Sequence, residues 1–103
     1  MNMGNMQGMM KQVQKMQQDM MKEQENLQQR EFTKTSAGDL VTITAYGNKH
    51  IKSIDLKPEV LDPEDTDMAQ DLLVTTFNDL MDAIDSETER VMSRFTRGMN
   101  LPF

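Results

Sequence analysis

The chain has 103 residues, a formal net charge of −6 at neutral pH and a mean hydropathy of −0.66. A polar chain of this length is expected to form one small domain with a thin core. It contains no Cys, which excludes disulfides, thiolate metal sites and a cysteine nucleophile. No apolar run reaches the roughly 18 residues of a membrane span, and polar residues interrupt the Met-rich start, which therefore does not match a signal peptide.

The first segment, from Met3 to about Gln29, predicts a long helix because it is rich in Met, Gln, Lys and Glu and lacks Pro. On a helix its apolar side chains form one stripe, opposite a face of lysines. The stripe predicts a buried seam. The alternatives are an adaptable Met-rich binding surface and a disordered Gln- and Met-rich tail. The stripe comprises Met6, Met9, Val13, Met16, Met20 and Leu27, and the lysine face comprises Lys11, Lys15 and Lys22.

The middle of the chain changes to the alternation typical of β-strands. Val41, Ile43 and Ala45 fall on one face of its central strand. Gly47-Asn48 suits a two-residue type II′ hairpin turn. The segments predict a three-stranded antiparallel meander: an extended stretch at 32–35, a turn at 36–39, a strand at 40–46 and a strand at 49–57 carrying Ile51, Ile54 and Leu56.

A second long helix is predicted after Pro58 ends the third strand. Asp62 is its expected N-cap and Pro63 its first residue, and the helix should stop at Gly98. Its apolar stripe consists of Leu73, Phe77, Leu80, Met81, Ile84, Thr88, Val91 and Phe95. The predicted fold class is therefore α+β, with a long helix on each side of a small meander.

Charge along the last helix changes from acidic to basic. Residues 64–89 hold nine carboxylates and no Lys or Arg, and Arg90, Arg94 and Arg97 then fall on one helix face. Cations also complement the dipole at a helix C-terminus, and this alternative is compatible with a binding role. If the helices pack antiparallel, these arginines meet Lys11 and Lys15 at one basic tip, which leaves room for nucleic acid at that end although the chain as a whole is acidic. The acidic residues Asp19, Glu23, Asp65, Asp67 and Asp71 should then lie nearer the sheet.

The helix lengths predict an assembly larger than one chain. The two helices would be about 40 and 50 Å long, whereas a compact domain of this size is roughly 30 Å across. A three-stranded sheet also leaves open edges. We therefore expect a homodimer built on the sheet, with projecting helices.

The chain resembles the YbaB/EbfC family of bacterial nucleoid-associated proteins along essentially its whole length. The resemblance implies a tweezer-like homodimer that binds duplex DNA in the cytoplasm, at the nucleoid. It is interpreted as one domain over residues 1–103, with short flexible ends at about 1–5 and 99–103. The family lacks a shared contact motif, so the expected contacts to DNA phosphates come from the charge pattern. They are Lys11, Lys15, Arg90, Arg94 and Arg97. The resemblance rests on residues 6–17, 38–44, 54–56, 72–74, 77–79, 98–99 and 101–103, together with Leu61.

Two other function classes compete with DNA binding. An enzyme has little support, because His50 is the only His and lacks partners for a metal site or a triad. The acidic ladder of Asp79, Asp82, Asp85 and Glu89 is interpreted as a solvated helix face. We expect no catalysis, metal, cofactor, small-molecule substrate or membrane contact. The stronger alternative is a protein-interaction adaptor that uses the Met-rich helix or the acidic face, without nucleic acid.

Overall fold

The computed structural model describes residues 3–98, with side chains described for residues 6–95. The predicted α+β class is confirmed, with a three-stranded antiparallel sheet in the order β1-β2-β3. The flexible ends expected at about 1–5 and 99–103 fall outside the described side chains. The elements are α1 (Met3–Gln29), β1 (Glu31–Thr35), β2 (Val41–Tyr46), β3 (Ile51–Leu56) and α2 (Thr66–Gly98), with 3-10 turns at Ala37–Asp39 and Pro58–Leu61.

The core lies between the central strand and the second helix. Val41, Ile43 and Ala45 alternate along β2 and are buried, as the sequence pattern predicted. Leu80 and Ile84, one turn apart on α2, cover them. The opposite face of the sheet is polar, where threonine hydroxyls pair across β1 and β2. These pairs are Thr33 with Thr44 at 3.0 Å and Thr35 with Thr42 at 3.2 Å.

A bulge aligns the apolar side chains of β3. Their spacing of three and then two residues would place them on both faces of a regular strand. The pairing register shifts between Thr44 and Ala45, so that Ala45 lies opposite Ile51 while Ile43 lies opposite Ile54. Residues directly opposite each other project to the same face. All three apolar residues of β3 therefore share the core face. They remain 36–49% exposed: Ile51, Ile54 and Leu56.

The hairpin between β2 and β3 differs from the expected two-residue turn. The Tyr46 carbonyl accepts from Lys49 N at 2.8 Å, and Tyr46 N donates to His50 O at 2.9 Å. The loop therefore has three residues, and Lys49, with φ of 73°, is its left-handed residue. Gly47 has a different role: its N–H donates to Arg30 O at 2.9 Å, and a Cβ there would lie 1.7 Å from the Leu27 carbonyl oxygen.

The second helix begins three residues later than predicted. Asp65, not Asp62, is the N-cap, because its Oδ1 accepts from the Met68 N–H at 3.3 Å. The Asp62 carboxylate accepts from Glu64 N at 2.9 Å and its carbonyl accepts from Asp65 N at 3.1 Å. Asp62 therefore holds a turn before the helix. The sequence signal was ambiguous because both aspartates precede helix-forming residues.

The seam of α1 is buried over only part of its predicted length. Leu27 is buried and Met16 and Met20 are half-buried. The predicted burial of the remaining three is wrong for the single chain, although the lysine face is exposed as expected. The cause is length, since the described side chains of α2 reach along α1 as far as the turns around Gln12 and Met16. The exposed members are Met6, Met9 and Val13.

Candidate nucleic-acid interface

The two helices pack antiparallel, as the sequence analysis expected. Arg30 Nη1 lies 3.3 Å from Glu87 Oε1 near the sheet. Two turns farther out, Arg94 Nη2 lies 3.7 Å from Glu23 Oε2. The two helices therefore run in opposite directions, and the start of α1 lies toward the end of α2. The molecule is elongated, with a longest dimension of 77 Å.

Arg90 is held by a carboxylate of its own helix. Its guanidinium donates to Glu87, one turn earlier. This hydrogen bond lowers the pKa of Glu87 below its usual range, with a further contribution from Arg30. The same hydrogen bond raises the pKa of the Arg90 guanidinium. The Arg90 side chain is nevertheless 70% exposed, so that solvent or an external anion reaches it.

Among the predicted contact residues with described side chains, Lys15 and Arg94 come together. They line one shallow groove of about 320 Å³ between the helices, with Phe95 at its side. The Arg94 guanidinium also lies over the Phe95 ring, 5.6 Å from its centroid, within the limit of about 6 Å for cation–π contacts. The groove thus combines two cations with an apolar wall.

Carboxylates accompany these cations, which corrects one expectation. Asp19 and Glu23 were predicted to lie nearer the sheet, away from the basic residues. Asp19 lines the same groove as Lys15, and Glu23 pairs with Arg94. Both acids do follow Lys11 and Lys15 along α1 toward the sheet. Their separation from the cations fails because Arg94 reaches Glu23 and Lys22 lies between the two acids in the chain.

The four predicted residues with described side chains do not form one compact cluster. Lys11 is exposed on α1 one turn before Lys15 and lies outside the groove. Arg90 lies one turn before Arg94, against Glu87. Arg97 belongs to α2, but its side chain lies outside the described residues. The arrangement is a strip of cations along the helix pair rather than a single basic tip.

Lys22 is a further candidate DNA-contact residue, in addition to the five that the charge pattern predicts. It lines a second groove of about 400 Å³ beside Arg94, together with Asp19, Glu23 and Phe95. Its spacing could have identified it, because Lys15 and Lys22 are seven residues apart and two helical turns bring them to the same face. With Lys22, the basic strip extends toward the sheet.

Other kinds of site find no support in the described part of the chain. Within residues 3–98, no group of three or more His, Asp or Glu side chains is arranged to hold a metal ion. Over the same range, neither long helix is apolar enough to cross a bilayer. His50 is exposed beside the β2–β3 loop, where its backbone N–H donates to Asn48 Oδ1 at 3.0 Å.

Comparison with known proteins gives a consistent result. A crystal structure of an uncharacterized Helicobacter pylori protein has the same fold, with a TM-score of 0.71 over 93% of this chain and 98% of that one, at 18% identity. A nucleoid-associated protein of Enterococcus faecalis is 50% identical over 97 residues, covering 94% of this chain and 93% of its own. One from Oceanobacillus iheyensis is 48% identical over 99 residues, covering 96% and 95%. The family model for YbaB/EbfC DNA-binding proteins matches residues 3–99, and the chain therefore belongs to the YbaB/EbfC DNA-binding family.

Proposed function

We propose that this protein is a homodimeric, single-domain nucleoid-associated protein that binds duplex DNA mainly through phosphate contacts at its projecting helices. The observation that carries the proposal is the strip of exposed cations along an elongated helix pair, in a chain that belongs to a DNA-binding family. The proposed contact residues are Lys11, Lys15, Arg90, Arg94 and Arg97, extended by Lys22.

To bind phosphate, Arg90 and Arg94 must exchange their carboxylate partners, Glu87 and Glu23, for the DNA backbone. Arg94 is 65% exposed and its distance of 3.7 Å to Glu23 is long for an ion pair. Exposed pairs of this kind contribute about 0–1 kcal/mol, so that a DNA phosphate can replace the carboxylate at small cost. The acidic outer surface of α2 repels the DNA backbone elsewhere and confines contact to the basic strip.

An uncovered apolar surface beside β3 supports the homodimer. Ile54 on β3 and Val74 and Phe77 on α2 line one groove of about 320 Å³. Val74 is 60% exposed and Phe77 is 40% exposed. The core beneath them is thin, and β3 is an unpaired edge strand. A second copy of the chain that packs through the same surface would cover the apolar groove and the edge of β3, in the symmetric manner of most homodimers.

The cellular location and the absence of catalysis follow from the same proposal. The relatives in Enterococcus faecalis and Oceanobacillus iheyensis are named as nucleoid-associated proteins, and we infer the cytoplasmic nucleoid for this chain. Phosphate contacts alone carry little sequence information. We therefore propose a binding protein with a weak sequence preference, without a cofactor or a small-molecule substrate.

The proposal is tested by replacing Arg90, Arg94 and Arg97 together with Ala. Gel shifts on several unrelated duplexes, each over a salt series, measure the affinity. The variant should bind every duplex more weakly and show a flatter salt dependence, because log K falls by about 0.9 per phosphate contact for each decade of salt. The matched control replaces Lys34, Lys52 and Lys57 with Ala. This variant also loses three positive charges, but it loses them at or beside the sheet.

Circular dichroism should show that both variants remain folded, since the three control lysines and the described arginines are exposed. Equal affinity of the arginine variant and the unmodified protein would place the DNA site elsewhere. No binding of the unmodified protein to any duplex, even at the lowest salt concentration, would instead favour the adaptor function, for which the exposed methionines of α1 are the specific observation.

A further inference from the structure

The first turns of α1 carry an apolar surface that nothing in the described structure covers. Met6, Met9, Met10 and Val13 are between 49% and 65% exposed. With Gln14 they line a groove of about 390 Å³ that contains no charged side chain. We call these four apolar residues the methionine patch. It lies apart from the basic groove of Lys15 and Arg94 and from the apolar surface beside β3.

The end of α2 is directed toward this patch. Phe95 lies against α1 beside Gln12 and Met16, and the helix continues to Gly98. Because the helices run antiparallel, the last described turn of α2 points toward the beginning of α1. Met9 is two turns from Met16 on the same line of α1, so the patch begins where the cover provided by α2 ends.

The residues that follow Gly98 match the patch in chemistry and length. Residues 99–103 contain no charged side chain. In an extended chain Met99, Leu101 and Phe103 share one face, and Pro102 favours the extended form of the residue before it. Five extended residues reach about 17 Å, whereas the axis of α1 between Met6 and Val13 is about 10 Å long.

We propose that residues 99–103 dock on the methionine patch of the same chain, with Leu101 near Met9. Neither the patch nor residues 99–103 carry a charged side chain, so that docking buries no ionised side chain. Flexible methionine side chains adapt to an irregular apolar segment. Docking completes the seam of α1 that the second helix leaves unfinished, and it does not depend on whether the protein binds DNA.

Engineered disulfides test the docking in the full-length protein, which has no cysteine of its own. The test variant carries Met9→Cys with Leu101→Cys. The matched control carries Lys11→Cys with Leu101→Cys, because Lys11 lies on the opposite face of α1, about 160° from Met9. Both variants are oxidised slowly by oxidised glutathione, and the products are separated on non-reducing gels and checked by mass spectrometry.

The expected result is an intramolecular disulfide in the Met9 variant, formed at least ten times faster than in the Lys11 variant. The product keeps the mass of one 11.9 kDa chain. Equal rates in the two variants would overturn the proposal, because they would show no preference for the patch. A product of two linked chains in the Met9 variant would also overturn it and would make a second copy the occupant.

Discussion

Gly47 is the residue whose replacement the structure constrains most clearly. Its N–H caps a carbonyl at the end of α1, and a methyl group there would overlap backbone at Leu27. Gly47→Ala should therefore lower the free energy of unfolding by about 3 kcal/mol, measured by urea denaturation. Gly8→Ala is the control, since nothing lies within 4 Å of its added Cβ and Ala favours the helix by roughly 0.5–1 kcal/mol. Similar stabilities for the two variants would contradict this account of Gly47.

Among the elements, the charge pairing along α2 determines how Arg90 is presented. The hydrogen bond from Arg90 lowers the pKa of Glu87 from its ordinary value of 4.5. Its stabilising effect is therefore fully present above that value and is lost as pH falls through the lower folded pKa. Arg90→Ala should raise the pKa of Glu87, measured by carboxyl-carbon NMR titration. Lys49→Ala should leave it unchanged, because Lys49 pairs with Asp85 at 2.7 Å. An unaltered Glu87 titration in the Arg90 variant would show that the hydrogen bond does not form in solution.

At the scale of the whole molecule, the apolar surface beside β3 should control the oligomeric state. Sedimentation equilibrium at micromolar concentration should give twice the 11.9 kDa chain mass for the unmodified protein. Phe77→Asp should give the single-chain mass, because a carboxylate in a buried apolar contact is costly. Met21→Asp makes the same kind of change at a side chain 65% exposed on α1 and should leave the dimer intact. A monomeric unmodified protein, or a dimeric Phe77 variant, would remove the sheet surface as the interface.

Much of the fold could be predicted because its signals are local. The composition of α1, the alternation at Val41, Ile43 and Ala45 and the periodic stripe of α2 each act within a few residues. They determine helix, strand and the face that each element presents. The apolar set on β3 was also identified, although its irregular spacing is explained only by the bulge of β3 opposite Thr44 and Ala45.

The sequence by itself determined the elements, their order, the lysine face of α1 and the acidic-to-basic change along α2. Tertiary structure decided which apolar residues of α1 are covered, because that depends on where α2 ends. It also decided that Arg94 meets Glu23 and that Gly47 approaches Leu27. These contacts join residues that are far apart in the chain. Their geometry depends on the register of two packed helices and a hairpin, which no local pattern specifies.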